Sequence, residues 1–543
     1  MFKKQSIILS LAIIIYITFF TSLCFLKYNN FLYQGLDLAI FNQVFHNLVN
    51  NNSFYSGIQN QSYLGDHFSP IIFLLLPFYY FFQNPKTLLF LQTVILGLSA
   101  IPVFLIAKEK LRNKNLALII SLIFLANPAL HSVNLYEFSL LSFAVPLLLT
   151  TFYFFQKKQF LCFCVLVFLC FLIREDIALI IFMFGIYAML KRYQRKWILL
   201  PILSSIVYFI LSLKIVSHFS TNNNYKFLFH YSWLGNNLTD LIINFFLKFP
   251  EVILHFLNIY NLIFIFYLLI PVFFLPIFGR KTLIFFIPIV LQFGLGNSGF
   301  RGIFFTHYLA LFIPFIFVSA IYGFSLMLSR MRLMPSQINS TKLLLGKKEY
   351  ILIIFLLFFI TIASNIGFSP SYNLTKNLLK INKQESQNKQ DLVKEIPVCL
   401  CSKNYILATN DFLPALSNNE NLFASFYLVK GKKQYSNQKY DIPKLNYAII
   451  NYQQFFSNCK NQENLMQNKN ICNQAKKRLK KVISKNHLNP ERIVDNNVLY
   501  STNYQPDIFK QSLQKLEQDT IIKSNKFNYN VFLDESSLEK ISL

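Results

Sequence analysis

"FLIREDIAL" (residues 171–179) sets three consecutive charges, Arg174, Glu175 and Asp176, inside an apolar stretch running from about residue 160 to 190. Two readings compete. One overlong helix would carry the charges to mid-membrane, where each ionised side chain costs about 3 kcal/mol or more. Alternatively, two spans of about 15 residues meet in a tight turn at the membrane surface. The flanks decide between them. "QKKQ" (156–159) and "KRYQRK" (191–196) are both basic, and basic loops belong on the cytoplasmic side. Both loops can lie there only if the chain turns at residues 174–176 on the outer side.

The same logic extends in both directions. The chain has 543 residues, 54% hydrophobic and 17% aromatic, with 62 Phe, which excludes a soluble domain over most of its length. Apolar runs recur from residue 6 to 366, several near the roughly 20 residues needed to cross a bilayer. Spans are expected at about 6–26, 87–107, 115–130, 138–155, 159–173, 177–190, 197–216, 258–278, 282–296, 306–328 and 350–366. The first follows "MFKK" and lacks a small-x-small cleavage site, so it reads as an uncleaved span. "SPIIFLLLPFYYFF" (69–82) is too short to cross and suits an interfacial or re-entrant helix. No internal repeat of fixed period is evident.

With the N-terminus inside, the inner loops are "MFKK", 108–115, 156–159, 191–196, 279–281 and 329–349, and they hold about 19 Lys and Arg. About seven lie in the outer segments before residue 367. Counting 69–82 as a span would reverse this bias. The net charge of +27 therefore first reports topology, and secondarily anionic lipid; no compact basic domain suggests nucleic acid.

An odd number of spans leaves residues 367–543 outside. This tail is polar, with alternating runs such as "NYILATN" (404–410) and "LNYAIINYQQF" (445–455), which predict strands among helices. "KNLLKINKQESQNKQDLVKEI" (376–396) reads as a polar helix or linker leading into it. The expected architecture is a polytopic α-helical membrane protein of about eleven transmembrane helices (1–366), with juxtamembrane helices near 36–49 and 69–82. A C-terminal extracytoplasmic α/β domain (367–543) follows. Cys24, Cys162, Cys164 and Cys170 fall in spans and act as small hydrophobes. Cys399, Cys401, Cys459 and Cys472 fall in the outer tail, where four cysteines allow three disulfide pairings; their spacing matches no zinc pattern.

The acids single out one side of the membrane. Of nine acidic residues in the first 366, Glu109 and Glu349 face inward; Asp37, Asp66, Glu137, Glu175, Asp176, Asp240 and Glu251 face outward. "GLDLAIFNQVFHNL" (35–48) has apolar spacing for an amphipathic helix on the outer surface, with Asn42, Gln43 and His46 polar and Asp37 at its start. Asp37 is either chemical or simply an acid favoured by the helix dipole. "YLGDHFSP" (63–70) offers Asp66 and His67 as a metal, phosphate or acid/base pair, or else a helix cap by Asp66 or Ser69 with an exposed His. Arg174, Glu175 and Asp176 line a cavity or form a structural clamp. "NSGFRGIFFTHYLALFIP" (297–314) adds Arg301, Thr306, His307 and Tyr308 at an outer boundary, and "HSVNLYEF" (131–138) adds His131 and Glu137.

In this order, "QGLDLAIFNQVFHNL", "GDHFSPIIFLLLP", "NLYEFSLLSFAVPLLL", "LIREDIALII" and "THYLALFIPFIFVSAIYG" resemble the bacterial membrane proteins of domain of unknown function 2079. The resemblance covers most of residues 30–325, with a looser match at "YILATNDFLPALSNNENLF". The wider layout is similar to the GT-C glycosyltransferases, such as protein O-mannosyltransferases and lipid A aminoarabinose transferases. That resemblance implies an acid soon after the first span, here Asp37, and juxtamembrane helices before span two. "HFSP" (67–70) stands where the aminoarabinose transferases have a lysine-proline motif, but lacks the lysine.

The expected function is therefore an inverting transfer of a sugar from a polyprenyl-phosphate donor, held in the bilayer, to an unknown extracytoplasmic acceptor. Localisation would be the bacterial plasma (inner) membrane with a cytoplasmic N-terminus. Asp37 is the expected base, with Asp66 next in line. Arg174 and Arg301 would meet the phosphate. His67, Glu175, Asp176, His307, Tyr308 and Glu137 would shape the substrate site. The carboxylates suit a divalent cation, though nothing in the sequence requires one. The rival reading is a transporter or flippase of a lipid-linked or anionic solute. It would favour ionisable groups near the midplane and inverted repeats, whereas these charges gather at one face. The absence of a nucleotide-binding motif or DxD pair argues against a soluble nucleotide-sugar enzyme.

Overall fold

Long apolar runs leave the backbone no partner but itself, and most of the chain folds as helix. The computed structural model describes residues 2–220, 225–235, 237–330, 347–378, 383–397, 404–434, 436, 438–460, 465–502 and 511. Two compact units emerge. The first comprises Met1–Leu26, Leu64–Phe82 and Lys86–Lys380; the second comprises Lys27–Tyr63, Gln83–Pro85 and Ile381–Leu543.

Within the first unit, the described residues include five helices long and apolar enough to cross a membrane, or up to seven if each bent pair is one span. The two bends have a local cause. Lys114–Leu125 and Pro128–Tyr136 meet at 42°, where Asn127 caps the second helix through the Ala129 N–H and Pro128 occupies its first turn. Phe249–Phe256 and Ile259–Val272 meet at 53°, where Asn258 caps through Tyr260 N–H. The segments expected as spans at 138–155, 159–173 and 177–190 form shorter apolar helices, Leu140–Gln156, Phe160–Phe171 and Ile177–Leu190. The last, at 14 residues, rises about 21 Å. The 69–82 stretch forms the ten-residue helix Ile72–Phe81.

Leu309–Arg330 is the most enclosed of the long helices. Gly323 lies so close to the Leu275 carbonyl oxygen that an added Cβ would approach it to 2.0 Å. Thr282 and Ser319 share a hydrogen bond of 2.9 Å across the same contact, the small-residue packing that lets membrane helices approach closely. Aromatic rings fill the adjoining core: Phe152, Phe155, Phe163, Phe184 and Phe285 are all buried.

The basic loops gather at one end of this unit. Lys157 pairs with Glu109 at 2.6 Å, Lys158 lies 5.0 Å over the Tyr193 ring, and Lys110 lies 4.5 Å over Tyr322. Lys281 donates to the Leu190 carbonyl at 2.8 Å. Loops 108–115, 156–159, 191–196 and 279–281 are thereby brought together, as their shared charge requires. Residues 174–176 stand at the opposite end of helix Ile177–Leu190. Most of the further inner loop 329–349 lies outside the described residues.

The second unit is built on a sheet. A short hairpin, β1 (Tyr55–Ser56) and β2 (Gln61–Ser62), precedes β3 (Ile406–Ala408), β4 (Leu422–Ala424), β5 (Tyr447–Asn451), β6 (Asn489–Val494) and β7 (Asn497–Ser501). The last five form one mixed sheet, order β4-β3-β5-β7-β6, with β4, β3 and β5 parallel and β7 and β6 antiparallel. "LNYAIINYQQF" is strand only in its first half. Asn451 accepts the Gln454 N–H at 3.1 Å and helix Tyr452–Lys460 begins. The polar 376–396 stretch supplies the end of helix Pro370–Leu378 to the first unit and helix Lys383–Glu395 to the second.

Helix Asp37–Asn51 belongs to the second unit and is buried on all faces from Leu38 to Leu48. Asn42 and Gln43 find their partners within the unit rather than in solvent. Asn42 donates to Ser417 and Asn418 at 2.8 and 2.7 Å. Gln43 donates to the Asn419 and Glu420 carbonyls and accepts from Ser56 and the Ile58 N–H. Cys472 is a free thiol; Cys399, Cys401 and the side chain of Cys459, which could complete the expected disulfides, lie outside the described residues.

Candidate active site

The tight turn read from "FLIREDIAL" exists. Helix Phe160–Phe171 ends, helix Ile177–Leu190 begins, and between them Arg174, Glu175 and Asp176 are 6%, 1% and 6% exposed. Arg174 donates from Nε to Asp176 Oδ1 at 2.8 Å and from Nη2 to Oδ2. Gln292 adds a 2.9 Å donation to the same Oδ2. Burial alone would disfavour charge on Asp176, but the Arg174 guanidinium outweighs it and holds the carboxyl below its usual range. Arg174 also lies 5.4 Å over the Tyr308 ring, the His307 ring adjoins Tyr308 at 4.2 Å, and Tyr136 lies 5.5 Å from His307.

Glu175 faces a different partner. Its Oε1 meets His67 Nδ1 at 2.8 Å, and its Oε2 accepts the Phe68 N–H at 3.2 Å. A carboxylate only accepts, so Nδ1 carries the proton and Nε2 is left for a second partner. The loop that carries His67 is held to the turn by Ile71 N–H donating to the Leu172 carbonyl at 2.8 Å. Gly65 makes the passage possible: an added Cβ would lie 2.4 Å from the Phe219 carbonyl oxygen.

A segment that sequence reasoning left unassigned closes the arrangement. Tyr225 donates to Glu175 Oε1 at 3.4 Å. Lys226 pairs with Asp66 at 2.6 Å, both buried. Phe227 stacks on His67 with centroids 4.8 Å apart and planes 11° from parallel. Burial, then the nearby Glu175 and Asp176 charges, push the Tyr225 hydroxyl well above its ordinary value, so it remains a donor. The available signal was a lysine among aromatics, "YKFLFHY" (225–231), following a span. Gln292 had none, being one polar letter in "IPIVLQFGLG".

The first unit thus brings together Asp66, His67, Arg174, Glu175, Asp176, His307 and Tyr308 with Tyr225, Lys226, Phe227 and Gln292. Glu137 is buried beside Tyr136, and its carbonyl accepts from Gln92 at 2.9 Å. Arg301 stands apart, exposed and 5.0 Å over the Tyr260 ring. Asp37 lies in the second unit, half-buried in the first turn of its helix. Among the described residues, no three His, Cys, Asp or Glu side chains converge as a metal-binding group.

From this polar cluster an apolar groove of roughly 460 Å³ opens. Asp176, Tyr225, Tyr231 and Gln292 line it, and residues such as Phe209 and Phe245 form its greasy walls. Asp176, Tyr225 and Gln292 thus belong to both the cluster and the groove, whose remaining lining is mainly apolar.

The family model described as predicted membrane protein (DUF2079) matches residues 27–482. No curated protein matches the sequence. Among solved structures, the chain is similar to the oligosaccharyltransferase of Archaeoglobus fulgidus in the apo form, at 12% identity and TM-score 0.48, covering 84% of this chain and 71% of that one. It is also similar to ArnT from Cupriavidus metallidurans bound to undecaprenyl phosphate, at 12% identity and TM-score 0.46, covering 91% of this chain and 98% of that one.

Proposed function

The chain belongs to the DUF2079 family of predicted membrane proteins, and for this member we propose the activity of a GT-C type inverting glycosyltransferase that uses a polyprenyl-phosphate sugar. The observation that carries the proposal is the joining of a buried polar cluster to an apolar groove, through Asp176, Tyr225 and Gln292. A soluble sugar donor has no use for the groove. An amphiphile with a polar head needs both parts.

In this reading the donor's isoprenoid chain lies in the groove and its headgroup meets the cluster. A carboxylate takes the proton of the acceptor hydroxyl as that oxygen attacks the anomeric carbon. The bond from the anomeric carbon to the phosphate oxygen breaks, the configuration inverts, and the polyprenyl phosphate leaves with the bonding electrons. Asp37 is the proposed base and Asp66 the second candidate. Arg174 is committed to Asp176, so its contribution is to fix the Asp176–Gln292 wall, while His67, oriented by Glu175, offers Nε2 to a sugar hydroxyl. Arg301, His307, Tyr308 and Glu137 remain candidates for the outer part of the substrate site.

We further place the protein in the bacterial inner membrane, crossing about eleven times, with the basic loops cytoplasmic and the sheet-bearing C-terminal region outside. Helices of 12–14 residues serve as spans there by local thinning of the bilayer. Purified protein in nanodiscs, offered a panel of radiolabelled polyprenyl-phosphate sugars, tests the proposal. Binding and sugar release or transfer by wild type, with binding but no transfer by the variant of the true base, is the expected result. Net movement of a lipid or solute across sealed vesicles, without transfer, would replace the enzyme with the transporter.

A further inference from the structure

Asp66 and His67 face Lys226 and Phe227 residue for residue: an ion pair at 2.6 Å beside a ring stack at 4.8 Å. Resting on the proposed donor class, we infer that Lys226 is the cation that receives the donor's phosphate, and that Asp66 holds its ammonium in place until the phosphate takes it over.

Three observations separate Lys226 from the arginines. Arg174 is bound through two nitrogens to Asp176, whose carboxylate is secured again by Gln292, so recruiting Arg174 would break a doubly held buried pair. Arg301 is exposed and stacked on Tyr260, with no contact to the cluster among the described residues. Lys226 instead directly follows Tyr225, which lines the groove, and lies on the same short segment as Tyr231, which lines it too. A lysine ammonium is a compact charge with three donors on a flexible stem, so it can turn from one oxygen to another with little rearrangement. The buried setting strengthens its attraction for either anion.

The exchange has a consequence for chemistry. As the pair stands, the Asp66 carboxylate is held by the ammonium. When phosphate takes the ammonium, the contact between Lys226 and Asp66 is given up, so the charge pairing of this carboxylate depends on whether donor is present. No bond is made or broken by Lys226; it moves a charge contact from one acid to another.

Binding of polyprenyl phosphate and of polyprenol, the same chain without phosphate, separates this inference from its premise. Both are measured in nanodiscs with wild type, Lys226→Ala, Lys226→Arg and Asp66→Asn. Wild type should prefer the phosphate. Lys226→Ala should lose about tenfold or more of phosphate affinity with polyprenol binding unchanged, and Lys226→Arg should recover part of the loss. Asp66→Asn removes the competitor and should bind phosphate more tightly than wild type, an outcome a merely structural ion pair does not give. Equal weakening by Lys226→Ala and Asp66→Asn, or full phosphate affinity in Lys226→Ala, overturns the role of Lys226 while the donor class stands. Wild type that binds both lipids alike overturns the donor class, and this inference with it.

Discussion

Arg174 and Asp176 show how a charge survives in a greasy stretch. Each is buried, each would be costly alone, and each is held by the other. Asp176→Asn leaves Arg174 charged and unmatched, and should cost about 3–5 kcal/mol of stability, read as a lower unfolding temperature in detergent. The pH dependence has a definite sign. The Asp176 carboxyl is held below its ordinary 3.8. The stabilisation is therefore present above that ordinary value and is lost as pH falls through the depressed one. Wild type should keep this contribution from neutral pH down to about 4 and lose it in stronger acid, while Asp176→Asn should lack that part of the acid limb. Glu175→Gln should act differently. It can donate as well as accept, so it no longer fixes the proton on His67 Nδ1, and the loss should appear in substrate turnover more than in lipid binding. The clustering of these acids was legible because acids are scarce among the apolar stretches. The pairing of Asp66 with Lys226 was not, because nothing in the local pattern links two residues so far apart in the chain.

The elements were legible where periodicity or charge forced them. The turn at 174–176 follows from two basic loops that must share a side, and 69–82 forms a short helix because it is too short for a span. Helix Asp37–Asn51 begins where its apolar spacing puts it, yet its polar face is covered as well. Amphipathic spacing says which face is apolar; it does not say whether the polar face meets water or residues 417–420. Gln43→Leu should therefore leave two carbonyls, a hydroxyl and an N–H short of a partner in the second unit, at a cost of about 1–3 kcal/mol or more, measurable as earlier proteolysis of the 404–502 region. Two glycines offer a contrast within helices. Gly323→Ala drives a methyl against the Leu275 carbonyl and should destabilise by about 1–3 kcal/mol. Gly367→Ala meets nothing within 4 Å and should be neutral or stabilising by up to about 1 kcal/mol. Thermal unfolding of the two variants side by side distinguishes packing from propensity.

For the whole molecule, charge carried most of the information. Four basic loops expected on one side do meet at one end of the helical unit, through contacts such as Lys157–Glu109 and Lys281 with Leu190. Among the described residues the count of long apolar helices is five to seven, since stretches such as Phe160–Phe171 and Ile177–Leu190 stop at 12–14 residues where charged turns interrupt them. Hydropathy alone does not separate such short apolar helices from full-length spans. Cysteines introduced at Lys158, Arg192 and Lys281 should react with an impermeant thiol reagent only from the cytoplasmic side of inverted vesicles, and one at Ser436 only from the other; reaction from the same side for all four would refute the orientation. The site itself was half visible. Its acids and His67 could be read from short motifs, but Gln292, Tyr225 and the groove behind them are products of packing between distant helices. The central claim is sugar transfer from a lipid-linked donor, and its most direct test is turnover of radiolabelled polyprenyl-phosphate sugars in nanodiscs by wild type, Asp37→Asn and Asp66→Asn. Transfer by wild type, abolished in one of the two variants while that variant still binds donor, is the predicted result. Donor binding without transfer by wild type across the panel, or transfer undiminished in both variants, would contradict the proposed chemistry.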